Sequence, residues 1–251
     1  MADLNKEDYN TLKKVADKHA DISLEELVYV YGKESSFGMN KNRKGSSYHG
    51  SFQFGKDAIN TLNDSGFSFT LKDAKENLSK SAEAYVYMTR INNRKFDNFK
   101  QQYGIAEGEL KDLDNPITKN YLLHQQGANG LASILKTIST GTTEDLPQGS
   151  YTTTRMALYD AETGEKGPIT RKGSITRNKM IENLTKKQKD YFIDETETVP
   201  EASRYFIQSV NDQLNSVGNK VKDSLNKYKK DSEDTSFLFP DNNFLPDDIP
   251  V

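Results

Sequence analysis

The segment Val30-Tyr-Gly-Lys-Glu-Ser-Ser-Phe37 places a carboxyl group, that of Glu34, at the end of an apolar helical face. The face follows a capping box formed by Ser23 and Glu26, and its apolar members recur at helical intervals: Leu24, Leu27, Val28 and Tyr31. Glu34 continues this stripe, so we expect its side chain to point toward the core. Burial and the negative end of a helix macrodipole both favour the protonated form of a carboxyl group, which can then donate a proton to a leaving group. Glu34 is therefore a candidate general acid; the alternative is a helix-end glutamate that is solvated or paired with Lys33.

The composition allows such a site and narrows the class of protein. The chain has 251 residues, enough for one substantial domain with an extension or for two small domains. Only 34% of the residues are hydrophobic and the mean hydropathy is −0.82, which predicts that part of the chain is loosely packed or depends on a partner. The net charge of −3, with both signs mixed, gives no general attraction to nucleic acid or to an anionic membrane.

Residue types also argue against several chemistries. The sequence has no cysteine, so disulfides and thiolate catalysis are excluded. The three histidines, His19, His49 and His124, lie far apart without the spacing of metal ligands, and no glycine-rich phosphate loop ends in Lys-Ser or Lys-Thr. We therefore predict neither a metal nor any other cofactor. The N-terminus lacks the apolar core of a secretory signal peptide, and no segment reaches transmembrane length.

Residues 5–140 are predicted to be predominantly helical. The apolar spacing of a first helix is carried by Tyr9, Leu12, Val15 and Ala16. After the helix that ends near Glu34, a polar loop covers residues 38–51 and a short helix follows over residues 56–63. Thr70 and Asp73 introduce a longer helix, whose face carries Leu78, Ala82, Tyr85, Val86 and Thr89. Asn115-Pro116 is typical of a helix start, and a further apolar stripe runs from Leu131 to Ile138.

The composition changes near residue 140, which predicts three further segments. Residues 141–198 form a linker and small mixed segment, with extended pieces near 148–154 and helical character over 176–192. Residues 199–230 form a long amphipathic helix whose apolar positions follow an eleven-residue repeat: Phe206, Val210, Leu214, Val217, Val221, Leu225 and Tyr228. This stripe packs either on its own domain or on another subunit. Residues 231–251 are an acidic, flexible tail.

Two other segments supply groups that one proton donor needs around it. Gly50-Ser-Phe-Gln-Phe54 combines a glycine, which permits close backbone approach, with Gln53, whose amide both donates and accepts hydrogen bonds. Tyr121-Leu-Leu-His-Gln-Gln-Gly-Ala-Asn-Gly130 is rich in neutral hydrogen-bonding groups beside glycines. Amides, hydroxyls and aromatic faces are the groups that bind sugars, so the two segments favour a carbohydrate substrate.

The order of these motifs resembles the soluble lytic transglycosylase and goose-type lysozyme superfamily, in the form seen in bacteriophage peptidoglycan-degrading proteins. The order is Glu-Ser-x-Phe, then Gly-x-x-Gln after a polar loop, then a helical segment, then an aromatic-polar-glycine motif. The resemblance covers about residues 20–140. It implies a mainly α, lysozyme-like helical domain over residues 1–140, followed by a partly extended, helical C-terminal extension.

The resemblance also implies site residues. Glu34 matches the family's single catalytic acid and base, and Ser35 matches the serine that hydrogen-bonds and orients it. Gln53 matches the glutamine of the family's Gly-Leu-Met-Gln-like motif. His124 stands where the family commonly has the tyrosine of Ala-Tyr-Asn-Ala-Gly, so it could donate a hydrogen bond to Glu34 or to substrate; a structural histidine is the alternative. The other expected substrate-binding or orienting residues are Phe54, Tyr85, Gln125 and Gln126, although Tyr85 fits a core position equally well.

The implied reaction is cleavage of the bond between N-acetylmuramic acid and N-acetylglucosamine in peptidoglycan, with formation of a 1,6-anhydro ring. A hydrolytic lysozyme of the inverting type would instead need a second carboxylate roughly 6.5 to 9.5 Å away. Asp57 and Asp64 are near in sequence but do not stand in a recognisable second-carboxylate motif. The alternatives are a hydrolytic lysozyme (muramidase) or a structural virion component that binds glycan without catalysis.

The expected partners are peptidoglycan glycan strands and, through residues 199–251, other virion or secretion-apparatus proteins, without a specific nucleic acid. We expect a virion-associated protein that is delivered to the bacterial periplasm; the alternative is a cytoplasmic protein until export or release.

Overall fold

The protein is described by a computed structural model over residues 3–41, 46–140 and 199–236. The described chain forms helices α1 (Lys6–Lys18), α2 (Leu24–Ser35), α3 (Lys56–Asp64), α4 (Leu71–Glu76), α5 (Leu78–Gln102), a 3₁₀ helix (Glu107–Leu113), α6 (Pro116–Thr140) and α7 (Val199–Ser236). Within these residues, extended pairing is limited to an isolated bridge between His49 and Phe54. The prediction of a mainly α protein is confirmed. The predicted linker, its extended and helical pieces over residues 141–198, and the tail beyond residue 236 lie outside the described residues.

Side-chain caps set the starts of several helices. The side chains of Asn5 and Ser23 accept hydrogen bonds from backbone N–H groups in the first turns of α1 and α2. Thr70 and Asp73 form a complete capping box, but the helix that they start, α4, is only six residues long. The single long helix predicted from Thr70 onward is therefore wrong. Asn77 leaves the helical region (φ −119°, ψ 98°), ends α4, and caps α5 by accepting a hydrogen bond from the Lys80 N–H at 2.9 Å.

The core of residues 3–140 is built around α2 and α5. Helix α2 packs against α1, and α5 packs against α1, α3, α4 and α6. Side chains that are buried at the centre include Leu12, Leu27, Val30, Tyr31, Phe52, Tyr85, Phe96 and Leu122. Helix α6 is interrupted at Gly127 (φ 71°, ψ 167°), which separates a first half that ends at Gln126 from a second half that carries the predicted stripe Leu131 to Ile138.

Helix α7 packs on the same domain. Its eleven-residue stripe lies against α1, α2 and α6, and Phe206, Val210, Leu214, Val217 and Val221 are all buried. At Gly218 the approach is so close that a Cβ atom would lie 2.0 Å from the Tyr29 hydroxyl oxygen. Of the two arrangements left open by the sequence, the structure shows the one in which the stripe packs on its own domain. The helix continues to Ser236, beyond the predicted end at residue 230.

Across the three described ranges, no helix is both long enough and apolar enough to span a membrane.

Candidate active site

Glu34 lies in the last turn of α2, where the chain reverses direction. Its side chain is half-buried, so it stands at the rim of the core and not inside it. The reversal uses three consecutive residues with left-handed backbone, Ser36 (φ 51°), Phe37 (φ 54°) and Gly38 (φ 86°). Such strain in non-glycine residues persists only where the surrounding structure enforces it, and it is typical of functional sites. Here the buried Phe37 ring folds back over Gly32, where a Cβ atom would lie 2.6 Å from the ring.

Ser35 closes this turn, and its side-chain hydrogen bonds go to backbone groups. Its buried hydroxyl group donates a hydrogen bond to the Tyr31 carbonyl oxygen at 2.9 Å and accepts one from the Gly38 N–H at 3.1 Å. The expected hydrogen bond from Ser35 to Glu34 is therefore absent, because both functions of the hydroxyl group are used by the backbone. Ser35 fixes the position of the glutamate through the turn.

Gln53 holds the loop between Ser46 and Gly55. Its side-chain amide donates hydrogen bonds to the carbonyl oxygens of Gly50 (2.6 Å) and Lys41 (3.3 Å), while its own backbone is left-handed (φ 50°). Gly50 is required at the base of this loop, because a Cβ atom there would lie 1.7 Å from the Ala74 carbonyl oxygen. Gln53 thus joins the segment after α2 to its own loop, and among the contacts observed none joins Gln53 to Glu34.

The side chains that contact Glu34 come from the first half of α6. The Gln125 amide donates a hydrogen bond to Glu34 Oε1 at 3.3 Å, and the Tyr121 hydroxyl group is hydrogen-bonded to the same carboxyl group. Gln125 also donates to the Tyr121 hydroxyl oxygen. Burial and, next, the nearby charge of Glu34 raise the pKa of Tyr121 well above its ordinary value, so Tyr121 is a neutral donor at physiological pH. Glu34 is thus held by two neutral hydrogen-bond donors.

Tyr121 was not predicted as a site residue, since its position fits the apolar face of α6. A signal was nevertheless present: Tyr121 precedes Gln125 by four residues, so the two side chains lie on the same face of the helix.

Lys33 is hydrogen-bonded to α7 and forms no ion pair with Glu34 among the described contacts. Its ammonium group donates a hydrogen bond to the Gln213 side chain on α7, and burial lowers its pKa, although the charge of Glu34 acts in the opposite direction. The structure therefore does not show the alternative in which Glu34 is paired with Lys33. Lys33 instead links the end of α2 to α7.

His124 links α6 to the loop of Gln53. Its Nε2 atom donates a hydrogen bond to the Phe52 carbonyl oxygen at 2.9 Å, and its ring makes edge contacts with Phe54 and Tyr85, at centroid distances of 5.7 and 5.3 Å. Among the contacts observed, none joins His124 to Glu34. Phe54 and Tyr85 are buried, at 1% and 0% exposure, so of the two predicted roles only an orienting one is open to them. Gln126 is also buried, in the last position before the interruption of α6.

A second carboxyl group, that of Glu26, is buried eight residues before Glu34. Glu26 is 3% exposed, and its Oε1 atom accepts hydrogen bonds from the Tyr85 hydroxyl group at 2.9 Å and from the Asn120 amide at 3.0 Å. Burial raises its pKa to about 7, an effect that these two hydrogen bonds only partly offset. The predicted capping box is half correct, because the Ser23 hydroxyl oxygen accepts from the Glu26 N–H at 3.0 Å, whereas the Glu26 carboxyl group turns inward.

The described residues contain no group of three or more histidine, cysteine, aspartate or glutamate side chains that could hold a metal ion.

No protein-family model matches the chain, and neither curated proteins nor solved structures give a match.

Proposed function

We propose that this protein is a peptidoglycan lytic transglycosylase that cleaves the β-1,4 bond between N-acetylmuramic acid and N-acetylglucosamine. The observation that carries the proposal is the setting of Glu34, a half-buried carboxyl group held by the neutral donors Tyr121 and Gln125 at a strained helix end. Such a group can exchange a proton with a substrate at the rim while its orientation stays fixed.

The reaction needs only this carboxyl group. Glu34 protonates the bridging oxygen, the bond from this oxygen to C1 of the muramic acid breaks, and an oxocarbenium-like centre forms at C1. The Glu34 carboxylate then removes the proton from the C6 hydroxyl group of the same sugar, whose oxygen bonds to C1. One proton thus passes from Glu34 to the leaving sugar, a second passes from the C6 hydroxyl group to Glu34, and no water is consumed. Tyr121 and Gln125 stabilise the carboxylate form between the two steps, because both are positioned to donate hydrogen bonds to it.

The surroundings of Glu34 favour a sugar over a charged substrate. Two exposed side chains with large apolar surfaces lie in the segments that flank the site, Met39 after α2 and Tyr48 before Gln53. The Tyr48 ring packs against Gly55, where a Cβ atom would lie 3.1 Å from it. An aromatic face together with amide and hydroxyl groups suits the apolar and polar faces of a pyranose.

Transglycosylation is favoured over hydrolysis by the setting of Asp57 and Asp64, two carboxylates that follow Glu34 in sequence. Asp57 and Asp64 both lie on α3 with exposed side chains, and neither shares a hydrogen bond with Glu34. An inverting hydrolase would use such a group to activate water. The exposed Asp57 and Asp64 lack the buried, hydrogen-bonded setting that fixes Glu34, which supports the reaction with one carboxyl group.

Replacing Glu34 with glutamine is expected to lower kcat/KM on purified peptidoglycan by at least about 100-fold, because the amide cannot donate a proton to the leaving oxygen. The melting temperature should stay close to that of the wild type, since Glu34 is at the rim of the core. Digestion followed by mass spectrometry of the released muropeptides measures both rate and product. Products with 1,6-anhydro ends are lighter by one water molecule than hydrolysed products.

The matched controls are Asp57→Asn and Asp64→Asn, which remove an exposed carboxylate of α3 in the same way. Both should retain wild-type rates. Reducing ends in the products, with loss of activity in one of these variants, would identify a hydrolase. Inactivity of the wild-type protein and of Glu34→Gln alike would contradict an enzymatic function and favour a glycan-binding structural component.

We further propose that the enzyme is carried by a virion or an envelope machine and opens peptidoglycan locally. The proposal is motivated by the phage-like form of the motif His124-Gln-Gln-Gly127. Because the apolar face of α7 is used inside the domain, a carrier protein would contact its exposed face. Fractionation of infected or producing cells should recover the protein with particles or with the periplasm. Recovery from the cytosol alone, throughout the cycle, would contradict this delivery.

A further inference from the structure

Two of the three carboxyl groups on helix α2, those of Glu26 and Glu34, have opposite surroundings. Glu34 is at the rim, whereas Glu26 is buried about 12 Å away along the helix axis, eight residues at 1.5 Å each. The proposed reaction uses only Glu34. A buried carboxyl group with two hydrogen bonds from distant parts of the chain therefore needs a separate explanation.

The first hydrogen bond ties Glu26 to the loop of Gln53 through Tyr85. The Tyr85 hydroxyl group donates to Glu26 at 2.9 Å, and its ring stacks on Phe52 at a centroid distance of 5.3 Å. The Phe52 carbonyl oxygen in turn accepts the hydrogen bond from His124. Glu26 and Glu34 both raise the pKa of Tyr85, after burial, so its hydroxyl group lies within electrostatic reach of both carboxyl groups.

The second hydrogen bond ties Glu26 to α6 immediately before the residues that hold Glu34. The Asn120 amide donates to Glu26 at 3.0 Å, and its carbonyl oxygen accepts from the Asn93 amide of α5 at 3.0 Å. Asn120 is followed directly by Tyr121, and Gln125 lies one helical turn later. The orientation of α6 about its axis and its position along α2 are thus fixed by two contacts, one from Glu26 to Asn120 and one from Glu34 to Gln125.

We propose that Glu26 is a positioning residue for the Glu34 site: its carboxyl group holds Tyr85 and Asn120, and thereby places Tyr121 and Gln125 against Glu34. This inference rests on the proposed function for its kinetic consequence, whereas the placement of α6 does not depend on catalysis. The charged or titratable groups that face Glu26 are Tyr85 from α5 and Asp21 from the loop before α2, and Asp21 is paired with Arg90.

Both hydrogen bonds are accepted by the same atom of Glu26, Oε1. Two variants therefore distinguish the loss of this acceptor from the loss of the charge. In Glu26→Gln the amide oxygen can accept both hydrogen bonds. In Glu26→Met a side chain of similar length has no comparable acceptor, so Tyr85 and Asn120 lose their partner. Glu25→Gln is the control, because it makes the same change one residue earlier, at a half-buried position.

The experiment compares kcat and KM on peptidoglycan with amide hydrogen exchange over residues 116–126. We expect Glu26→Met to lower kcat at least about tenfold, with KM within about threefold of the wild-type value, because misplacing groups around the acid slows the chemical step more than binding. Exchange over residues 116–126 should become about fivefold faster. Glu26→Gln should restore both quantities to near wild-type values, as should Glu25→Gln.

Wild-type kcat and wild-type exchange in Glu26→Met would overturn the proposal, as would a Glu26→Gln variant that is as impaired as Glu26→Met. If the wild-type protein does not cleave peptidoglycan, the proposed function fails, and the exchange measurement alone decides whether Glu26 places α6.

Discussion

Replacing Phe206 with alanine is expected to lower the free energy of unfolding by about 3 to 5 kcal/mol, the usual cost of removing a buried aromatic ring and leaving a cavity. Phe206 lies on α7, yet its side chain is completely buried and is among the largest buried side chains in the described chain. Helix α7 packs on α1, α2 and α6, so its apolar face is part of the core that supports the site. We therefore expect one cooperative transition that includes α7.

The loss should also reach the candidate active site. Gln213 accepts the hydrogen bond from Lys33, the neighbour of Glu34, and Asn211 accepts one from the Thr118 hydroxyl group at 2.6 Å. These contacts join α7 to the two helices that carry Glu34 and Tyr121. Urea unfolding of the full chain, followed by far-UV circular dichroism and by tyrosine fluorescence, measures the effect, since the protein has 13 tyrosines and no tryptophan.

Lys220→Ala is the matched control, because Lys220 is exposed on the same helix and its truncation should change stability by no more than about 0.5 kcal/mol. A Phe206→Ala variant that loses less than about 1 kcal/mol, or that unfolds α7 in a separate early transition, would contradict an integral role. In that case α7 would be the independent extension that the composition of the chain indicates.

The sequence predicted those elements whose causes are local. The starts of α2, α4 and α6 follow from Ser23, Thr70 and Asn115-Pro116, because a cap involves residues only a few positions apart. Asn77 was missed as a helix end because the apolar positions on either side of it fit a continuous helical face. The stripe of α7 predicted a buried face but did not identify its partner, since periodicity describes one surface and not the surface that covers it.

The candidate site was also predicted only in part, because local spacing does not encode contacts between distant segments. The structure brings Gln125 to Glu34, whereas the side chains of Ser35, Gln53 and His124 form their hydrogen bonds with backbone groups. Glu26 was interpreted as a capping residue because Ser23 is three positions away. Its actual partners, Tyr85 and Asn120, are 59 and 94 residues away, and no local spacing encodes them.

Replacing Glu26 with glutamine is expected to stabilise the protein at pH 8 by up to about 3 kcal/mol, and to give no such gain near pH 4.5. Burial raises the pKa of Glu26 from 4.5 to about 7. Between these two values the folded protein holds a proton on Glu26 that the unfolded chain has released. The contribution of Glu26 to the free energy of unfolding is therefore fully present below pH 4.5 and is lost as the pH rises through 7. The interval corresponds to about 3 kcal/mol, an upper value because hydrogen bonding and local relaxation share the cost. An uncharged amide removes this dependence.

The decisive quantity is the difference in unfolding free energy between Glu26→Gln and the wild type, measured by urea denaturation at several pH values from 4.5 to 8. Comparing the two proteins at each pH cancels the titration of shared groups that do not interact with Glu26. Of the two that do interact with it, Asp21 has a pKa lowered by its hydrogen bond with Arg90 and Tyr85 has a pKa raised by burial, so both titrate outside this pH range. Glu25→Gln is the matched control, because it removes a carboxyl group from the same turn of α2 at a half-buried position. A flat difference for Glu26→Gln would mean that the Glu26 carboxyl group is ionised in the folded protein at pH 5. The two donors, Tyr85 and Asn120, would then compensate a buried charge, and the acceptor in the network would be a carboxylate. A difference in unfolding free energy that grows toward pH 8 instead shows that burial disfavours the charged form of Glu26. The neutral acid then accepts the two hydrogen bonds in the core.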